Sequence, residues 1–506
     1  MPLKKIILSS IIISLLACNK SVTNLPELQN TGVKKYTNTD INTWIYDNMK
    51  AYYLWSDNLP AITSTNTASN PMDYFYSILY NYHITDRFSW IDSSSTNLIN
   101  QLNGINTVLG IRVNAFYTDD AKVNIALVIA YVLKGSPAEK SGLKRGDIIM
   151  SVDDQSITSS NYTTVLQNQT LKLGLGSYSN KVFSSTGKSI TVTKTELQTN
   201  PILQDTVINW SGKKVGYLAY LQFLTSFDDS LRAVFGRYKA KGVNELIIDL
   251  RYNGGGYVSN SDLLTTLIVK DLASKVDKVI NKKMYNNAYT QEIVKQYGTS
   301  ALVTNFKSEP NNIGSLDRVF ILTSTGTASA SELIINNLKP FMNVILIGEH
   351  TYGKNVGSFT ITDDLKRWNY GLQPITFKIL NSLDQSDYGT VNGFLPDYAL
   401  TDDILPYKLL GDPTETYLNK ALTIIGPTAF KPNATSGAAS LSRANKIANS
   451  SLSDNSIQDK FDMFDKPLKQ KNSLVAIINR INLYEKNIFI MGCSICLTNK
   501  CSRKKC

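Results

Sequence analysis

The sequence predicts an α+β protein of several domains, with an N-terminal helical unit, a β-rich domain and an α/β core. Three patterns along the chain predict this: aromatic residues at helical spacing over 36–101, short alternating strands with glycine turns over 104–199, and alternating strands and helices over 200–410. The length of 506 residues suits about three domains, and an apolar share of 42% with a charged share of 18% is typical of a globular protein.

The first 17 residues have the pattern of an export signal. Two lysines precede an apolar run, 6–16, that is too short to span a bilayer, and a small residue ends it directly before Cys18. This resembles the signal of bacterial lipoproteins, which implies lipidation of Cys18; the alternative is an ordinary signal peptide with an incidental cysteine. Residues 18–35 are polar and are expected to form a tether. We therefore expect an exported, membrane-anchored protein of the cell envelope, facing the periplasm or the cell surface.

The charge of the chain does not indicate a nucleic-acid enzyme. Of the formal net charge of +11, residues 1–17 carry +2 and residues 466–506 carry +8, which leaves the body near neutral. The body has no cysteine, because those other than Cys18 all lie in the basic end, as Cys493, Cys496, Cys501 and Cys506. A zinc site and an atypical tail are the alternatives there, and short spacing without a nearby histidine favours the tail. We expect no metal and no organic cofactor.

The stretch 36–101 has the pattern of a small helical domain with one packed face. Its aromatic and apolar residues fall into two groups that repeat at helical spacing. The groups are Trp44, Ile45, Met49, Tyr52, Tyr53, Leu54 and Trp55, and then Tyr74, Phe75, Ile78 and Leu79. Such clusters form a core far more often than a ligand site, so we expect them to be buried.

The stretch 104–199 contains a specific motif. Residues 135–139, with the sequence GSPAE, are followed by residues 142–149, GLKRGDII. This combination closely resembles a PDZ domain, in which the first element begins a short helix and the second leads into a strand. PDZ domains bind extended peptide ends by adding a strand to the edge of a sheet. The resemblance implies that Leu109, Gly110 and Ile111 form the loop that binds the terminal carboxylate.

From residue 200 the chain alternates strands and helices, as in an α/β crossover fold. Residues 245–250 have the pattern of a buried strand, and the loop 251–256, RYNGGG, ends this strand before a helix. A phosphate-binding loop is the rival explanation for three glycines, but no Gly-Lys-Ser or Gly-Lys-Thr follows, and the spacing is not that of a dinucleotide-binding motif. We therefore interpret the segment as a loop of backbone donors.

A strand, a turn, a helix and a second strand follow between residues 318 and 357. Ser329 stands where the turn enters the helix, and Lys354 follows the second strand, 25 positions later. A hydroxyl at a helix N-terminus lies beside donors suited to an oxyanion, and a lysine can act as base if burial lowers its pKa to about 7 to 8. Ser329 also begins a capping box, S-x-x-E, that ends at Glu332 and needs no catalysis. From these residues alone, the cap is the commoner explanation.

Three motifs in order resemble the signatures of the C-terminal processing, or tail-specific, serine proteases. They are residues 249–256 (DLRYNGGG), 326–332 (GTASASE) and 348–354 (GEHTYGK), with the PDZ-like segment upstream. The resemblance covers residues 36–410 and implies an α/β core of the crotonase/ClpP type. It also implies catalytic roles: Ser329 as nucleophile, Lys354 as general base, and an oxyanion hole from the backbone N–H of Ala330 with that of Gly255 or Gly256.

Two positions depart from the family pattern. Gly254 replaces the proline of the common loop Asn-Pro-Gly-Gly, so the backbone dihedral φ is less restricted at this position of the loop. Ser358 stands where many members have a glutamine four positions after the lysine. We expect Ser358 to support the site by orienting Lys354 through a hydrogen bond.

The sequence thus predicts a serine-type endopeptidase that cleaves extended or C-terminal peptide segments of exported proteins and has no nucleic-acid partner. The main alternative is a non-catalytic peptide-binding lipoprotein of PDZ type on the same scaffold, with Ser329 only capping its helix. A glycan-handling lipoprotein is a weaker alternative, since no motif for paired carboxylates is present. Residues 411–506 are expected to form a helical and then Ser- and Asn-rich tail outside the protease domain, 200–410.

Overall fold

Residues 35–427, 442–453 and 462–468 are described by the structure, a computed structural model of the chain. The predicted signal peptide, the lipidation site Cys18 and the cysteines of the C-terminal end lie outside the described residues. From Asn38 onward the chain forms one unit, and residues 35–37 belong to a separate one. Within the described residues, no helix has the length and the apolar character needed to cross a membrane.

Several helices begin at the capping residues that the sequence provides. Asn70, Ser94, Ser136 and Asn286 each precede a helix, and the side chain of each accepts a hydrogen bond from a backbone N–H of the first turn. The α-helices of the described residues are Asn38–Tyr52, Pro71–Ser77, Ser95–Leu102, Pro137–Lys140, Asp228–Ala240, Val258–Ile268, Asn287–Tyr297, Ala330–Leu338 and Thr416–Ile425. Helical spacing of apolar residues had predicted most of these.

A six-stranded central sheet carries the α/β core. Its strands, in spatial order, are Ile202–Trp210, Lys213–Tyr220, Glu245–Asp249, Arg318–Thr323, Asn343–Gly348 and Tyr398–Ala399. All neighbouring strands are parallel except the first pair, which is antiparallel. The middle strands are almost fully buried, which explains their continuous apolar sequences.

The carboxyl ends of the parallel strands bring three loops to one edge of the central sheet. The first is the glycine loop, 251–256, which follows Glu245–Asp249. The second is the turn 324–329 after Arg318–Thr323, and the third is the lysine loop, 349–355, after Asn343–Gly348. Ligands of open α/β sheets bind at this edge, so the fold places the three sequence motifs where a site is expected.

A second six-stranded sheet lies beside these loops. Its strands, in spatial order, are Gly256–Tyr257, Met463–Phe464, Val356–Ser358, Ile375–Asn381, Val279–Tyr285 and Val303–Asn305. Met463–Phe464, the tail strand, lies between the strand that ends the glycine loop and the strand that follows Lys354, and it runs parallel to both. The C-terminal part of the chain therefore reaches the same place as the three motifs.

The β-rich domain has the predicted PDZ-like fold. Its main sheet contains, in spatial order, Lys446–Ser453, Ile111–Tyr117, Ile125–Val132, Ile148–Val152, Thr170–Ser179 and Val182–Thr193. Three further short strands belong to this domain: Gln155–Ser156 pairs with Ile148–Val152 of the main sheet, while Ile105–Val108 and Thr195–Gln198 pair with each other in a separate two-stranded sheet. Helix Pro137–Lys140 starts at the GSPAE motif, as expected. The outermost strand, Lys446–Ser453, is called the edge strand below and comes from the C-terminal part of the chain.

The N-terminal stretch forms the expected helical unit and joins the α/β core through a small sheet. The strands of that sheet are Trp90–Asp92, Gly371–Gln373 and Ile361–Thr362. The aromatic cluster is a core, because Trp44, Tyr53, Tyr74 and Phe75 are buried and pack with Phe359 of the α/β core. The helical unit is therefore fixed to the core through shared apolar contacts.

The structure extends the α/β core past residue 410, the boundary expected from the sequence. Helix Thr416–Ile425 packs its apolar face, including Tyr417 and Leu422, in one cluster with Ile247 and Phe320 of the central sheet. Beyond it, Ser442–Arg443 pairs with Ile404–Leu405, and the edge and tail strands belong to two other sheets. The described residues after 410 are thus part of the fold, and the surfaces that they contact exist only once the sheets have formed.

Candidate active site

Ser329 has an unusual backbone conformation at the start of a helix. It precedes Ala330–Leu338, called the serine helix, with φ 64° and ψ −115°. A positive φ is strained for a residue other than glycine, so the surroundings must hold it, and such strain is concentrated at functional sites. The side chain is fully buried, and Ser329 forms with Glu332 the capping box that the sequence indicated. Outside this cap, Oγ has no hydrogen-bond partner among the described residues.

Glu332 joins the serine helix to the lysine loop. Its Oε2 accepts the backbone N–H of Ser329 and that of Lys354, each at 2.8 Å. Its Oε1 accepts Thr351 Oγ1 at 2.5 Å and the Gly353 N–H at 2.7 Å. Burial raises the pKa of this carboxyl, and the hydrogen bonds oppose that shift. The sequence indicated Glu332 only as part of a helix cap, whereas the structure shows that it binds the backbone of both motifs.

Lys354 is buried and contacts a carboxylate from the tail. Only 1% of its surface is exposed. Nζ donates to Asp462 Oδ1 at 3.1 Å and lies 4.8 Å from the centre of the Phe88 ring. The other carboxylate oxygen, Asp462 Oδ2, accepts from Trp90 Nε1 at 3.2 Å. In this ion pair the lysine is an ammonium, which has no lone pair with which to accept a proton.

The glycine loop directs a backbone N–H at a peptide carbonyl. Gly255 and Gly256 have φ of 119° and 137°, which glycine adopts without the steric cost of a Cβ. The Gly255 N–H donates to Asn253 Oδ1 at 2.9 Å, whereas the Gly256 N–H donates to Asp462 O at 2.6 Å. The resemblance left Gly255 and Gly256 as alternatives for the oxyanion hole, and Gly256 is the one whose N–H contacts a carbonyl oxygen.

Three groups surround one point beside Gly255. A Cβ at this glycine would lie 2.4 Å from Asp462 O, 2.8 Å from Ser329 Cβ and 3.2 Å from the backbone nitrogen of Ala330. A side chain would collide with all three, so glycine lets the serine, the start of its helix and a peptide carbonyl approach one another. This is the arrangement that acyl transfer needs: a nucleophile, donors for an oxyanion and a carbonyl between them.

Ser358 lies in the strand that follows Lys354 and contacts the tail strand. Its Oγ accepts from Gln373 Nε2 at 2.9 Å and faces Met463 O at 3.5 Å. Its carbonyl oxygen accepts the backbone N–H of Asp465 at 3.0 Å. The expected support of Lys354 by Ser358 stays a prediction. A glutamine does reach this place, but from the neighbouring sheet, which sequence spacing gave no means of anticipating.

A buried network of charges links the PDZ-like domain to the glycine loop. Arg145, from the GLKRGDII motif, donates from Nη1 to Tyr252 Oη at 3.0 Å and lies 3.5 Å from Glu415 Oε1. Arg251 donates to the same Glu415 oxygen at 2.9 Å. Burial acts to raise the pKa of Asp402, but the two arginines outweigh it and hold that pKa below its ordinary value. The network connects the motif of one domain with the first residues of the loop in the other.

The predicted carboxylate-binding loop lies at the start of Ile111–Tyr117, the strand that pairs with the edge strand. Leu109 and Ile111 are buried in the core of the PDZ-like domain, and Gly110 has φ 91°. A Cβ at Gly110 would lie 2.2 Å from Ser136 Cβ, so glycine is required for the close approach of the GSPAE motif. Peptide binding by these three residues stays a prediction.

The cleft at the motifs is lined by all three parts of the fold. Trp90 comes from the helical unit, Arg112 and Tyr131 from the PDZ-like domain, and Tyr252 from the glycine loop. Asp462 and Phe464 of the C-terminal part complete the lining. Among the described residues, no group of three or more His, Cys, Asp or Glu side chains is arranged to hold a metal ion. Ser329 and Lys354 do not line this cleft themselves; they lie behind two of its lining residues, because Gly255 is next to Ser329 and Asp462 binds Lys354.

Comparisons with known proteins match the three parts of the fold. The family described as peptidase family S41 matches residues 214–398, the peptidase S41 N-terminal domain matches residues 40–90, and a PDZ domain matches residues 128–167. Among solved structures, a crystal structure from Bacteroides fragilis assigned to the S41 proteases is 28% identical, covers 76% of this chain and 96% of that chain, and has a TM-score of 0.63. The agreement thus extends over the helical unit, the PDZ-like domain and the α/β core.

Two curated relatives are processing peptidases of chloroplasts. The C-terminal processing peptidase of Tetradesmus obliquus is 23% identical over 301 residues, which cover 56% of this chain and 59% of the relative. Carboxyl-terminal-processing peptidase 2 of Arabidopsis thaliana is 26% identical over 310 residues, which cover 58% of this chain and 55% of the relative. The chain therefore spans somewhat over half the length of these relatives.

Proposed function

Because this chain belongs to peptidase family S41, with its N-terminal and PDZ domains, we propose that it is a serine endopeptidase. Its substrates are extended or C-terminal peptide segments of exported proteins. Ser329 is the nucleophile, Lys354 is the general base, and the backbone N–H groups of Ala330 and Gly256 form the oxyanion hole. The proposal assigns no role to a metal or an organic cofactor.

One observation carries this proposal: the buried Ser329 hydroxyl, which has no partner outside its own helix cap among the described residues, lies beside a peptide carbonyl that is already bound by the Gly256 N–H. A serine that only capped its helix would need neither a positive φ nor a glycine that makes room for a carbonyl. The non-catalytic alternative is therefore not favoured. The glycan-handling alternative lacks support as well, because Asp462 is the one carboxylate among the described residues that line the cleft.

The reaction proceeds through an acyl-enzyme. Lys354 Nζ, as a neutral amine, takes the proton of Ser329 Oγ while this oxygen bonds to the scissile carbonyl carbon. The carbonyl oxygen becomes an oxyanion and is bound by the two backbone donors. The C–N bond then breaks, and the leaving amine takes the proton from Lys354. Lys354 Nζ then takes a proton from a water molecule while the water oxygen bonds to the ester carbon. The bond between this carbon and Ser329 Oγ breaks, Oγ takes the proton back from Nζ, and the new carboxyl end is released.

The base must be freed before this reaction can start. Lys354 is paired with Asp462 in the structure. Only after that carboxylate has left can Nζ form a hydrogen bond with Ser329 Oγ and serve as its base. Glu332 keeps the backbone of Lys354 and that of Ser329 in place during this change, because it binds both N–H groups.

The location of the enzyme rests on the sequence, since residues 1–34 lie outside the described residues. We place it in the cell envelope, exported and held to a membrane by a lipid on Cys18. A Cys18→Ser variant should no longer incorporate a fatty-acid label and should leave the membrane fraction. Retention of that variant in the membrane fraction would contradict the anchor.

The catalytic assignment is tested by Ser329→Ala and Lys354→Met. Both variants should lose hydrolysis of a denatured reporter protein and labelling by a serine-reactive fluorophosphonate, and Ser329→Ala should keep the thermal stability of the fold. Ser300→Ala, the same change at an exposed position, is the matched control and should remain active and labelled. Full activity of Ser329→Ala would overturn the assignment.

A further inference from the structure

The C-terminal part of the chain lies in the cleft as an extended peptide. The tail strand, Met463–Phe464, pairs on one side with Gly256–Tyr257 and on the other with Ser358. Backbone hydrogen bonds tie it in place at both ends, since Asp462 O accepts from the Gly256 N–H and the Asp465 N–H donates to Ser358 O. A peptide substrate would be bound in this way, as an added strand.

The same part of the chain also covers the edge of the PDZ-like sheet. The edge strand, Lys446–Ser453, runs antiparallel to Ile111–Tyr117, the strand that follows the predicted carboxylate-binding loop. Ile447 and Leu452 pack against the core of that domain. Two segments that are close in sequence thus occupy the two places at which this fold would bind a peptide: the gap beside Gly256–Tyr257 and the edge of the PDZ-like sheet.

The contacts of Asp462 distinguish whether the segment lies in the groove as a substrate or as an inhibitor. The carbonyl of Asp462 contacts the donor of the oxyanion hole, as a scissile carbonyl would. Its carboxylate, however, binds the ammonium group of Lys354 and the Trp90 indole. A segment that holds the base in its charged form cannot be cleaved from this position, because no group remains to take the serine proton.

We propose that residues 446–453 and 462–468 act as an internal pseudosubstrate, a built-in ligand of the substrate-binding groove that Asp462 anchors on Lys354. This proposal rests on the proposed function for the identity of the groove. A true substrate binds in the same two places and must displace the segment first. Peptides with an acidic residue, one intervening residue, an aromatic residue and a second acidic residue are the class that competes with it.

The contacts of the tail explain this preference for charge and aromatic groups. Phe464 packs edge-on against Tyr257, with ring centres 4.2 Å apart. The Asp465 carboxylate pairs with Lys283, whose side chain is 15% exposed. Burial acts to lower the pKa of Lys283, but Asp465 and other neighbours outweigh it and raise the pKa above its ordinary value. Two acidic side chains of the tail thus meet two lysines of the groove, of which Lys354 is fully buried and Lys283 partly buried.

The test uses the full chain with Asp462→Ala, and Asp120→Ala at an exposed turn as the matched control. Removal of one partner of a buried charge pair weakens binding by at least about tenfold, so KM for a peptide reporter should fall by that factor while kcat is unchanged. The control should leave both constants unchanged. An unchanged KM in Asp462→Ala would overturn the proposal.

Hydrogen exchange separates this proposal from the catalytic one, because it needs no turnover. In the Ser329→Ala background, the amides of Gly256 and Asp465 should exchange slowly, and Asp462→Ala should make both exchange at least about tenfold faster. An acetylated peptide of residues 462–468 should restore the slow exchange of Gly256. If no protein hydrolyses any reporter but these exchange changes occur, the proposed function fails, while the anchoring of the segment by Asp462 stands.

Two outcomes would overturn the pseudosubstrate whatever the activity. The first is equal exchange at Gly256 with and without Asp462→Ala, which would mean that the segment is not anchored in the groove. The second is cleavage of the chain between Asp462 and Met463 during incubation, detected by mass spectrometry, which would make the segment a substrate.

Discussion

Replacing Glu332 with glutamine is expected to lower activity far more than it lowers the stability of the fold. The carboxylate accepts four hydrogen bonds, two on each oxygen. A glutamine amide keeps one oxygen and presents an NH2 group in place of the other, so two of the four donors lose their acceptor. The two that lose it are either the N–H groups of Ser329 and Lys354 or the donors of Thr351 and Gly353.

Two opposing effects set the change in stability. A hydrogen bond to a charged group contributes about 1.5–3 kcal/mol, so two lost bonds cost about 3–6 kcal/mol. Glutamine is neutral, however, and removes the desolvation penalty that raises the pKa of Glu332. This relief offsets part of the cost, and we expect the free energy of unfolding to fall by only about 1–3 kcal/mol.

Activity has no such compensation. Ser329 is kept at a positive φ, and the two residues proposed as nucleophile and base, Ser329 and Lys354, both have their backbone bound by the same carboxylate. A displacement of about 1 Å in a catalytic group costs about 100-fold in rate. We therefore expect kcat to fall by about 100-fold while KM stays nearly the same.

The assay measures kcat per active site, titrated with a fluorophosphonate, together with urea unfolding of the same samples. Glu196→Gln, the same change at an exposed strand position, is the control and should alter neither quantity. A merely structural role of Glu332 would reduce the number of titratable sites and leave kcat per site unchanged. That result would refute the argument that Glu332 positions the catalytic groups.

Three further changes test other parts of the structure. Burial raises the pKa of Asp262 to about 7, so the stability that this group contributes is complete below about pH 4 and is lost as the pH rises through about 7, by about 4 kcal/mol in all. Asp262→Asn should make the free energy of unfolding in urea less dependent on pH over this range. The same pH dependence in the variant and the parent protein would contradict this. Arg145→Met leaves buried carboxylates with one partner fewer and should lower the free energy of unfolding by about 3–5 kcal/mol, whereas a loss below about 1 kcal/mol would speak against the network. Gln373→Leu removes the donor to Ser358 and should lower kcat about tenfold at constant KM; an unchanged kcat would show that Ser358 does not orient Lys354.

Local patterns in the sequence predicted the fold well wherever an element carries its own signal. The strand, helix and strand around Ser329 have apolar residues at periods that belong to one kind of element, and the structure has them at Arg318–Thr323, Ala330–Leu338 and Asn343–Gly348. The GSPAE and GLKRGDII motifs likewise identified the PDZ-like fold. In these segments a few neighbouring residues are enough to specify the local structure.

Contacts between distant residues could not be predicted in this way. The tail strand is two residues long, too short for any period, and the residue before it meets Lys354 across 108 positions. Glu332 was visible as a cap, but its bonds to Thr351, Gly353 and Lys354 depend on how the lysine loop folds back. The choice between Gly255 and Gly256 as donor depends on the Asn253 side chain, whose direction no motif specifies.

The tail strand has a neighbour on each side, and this limits what the groove can accept. Adjacent strands lie about 4.7–4.9 Å apart, so the gap between Gly256–Tyr257 and Val356–Ser358 is about one strand wide. A helix, with a diameter of about 10–12 Å, cannot enter it. Under the proposed function, a folded protein is therefore attacked only after its end has frayed. The lifetime of each target then depends on the free energy of local unfolding at its own terminus. The groove therefore selects proteins by the local stability of their ends as much as by their sequence.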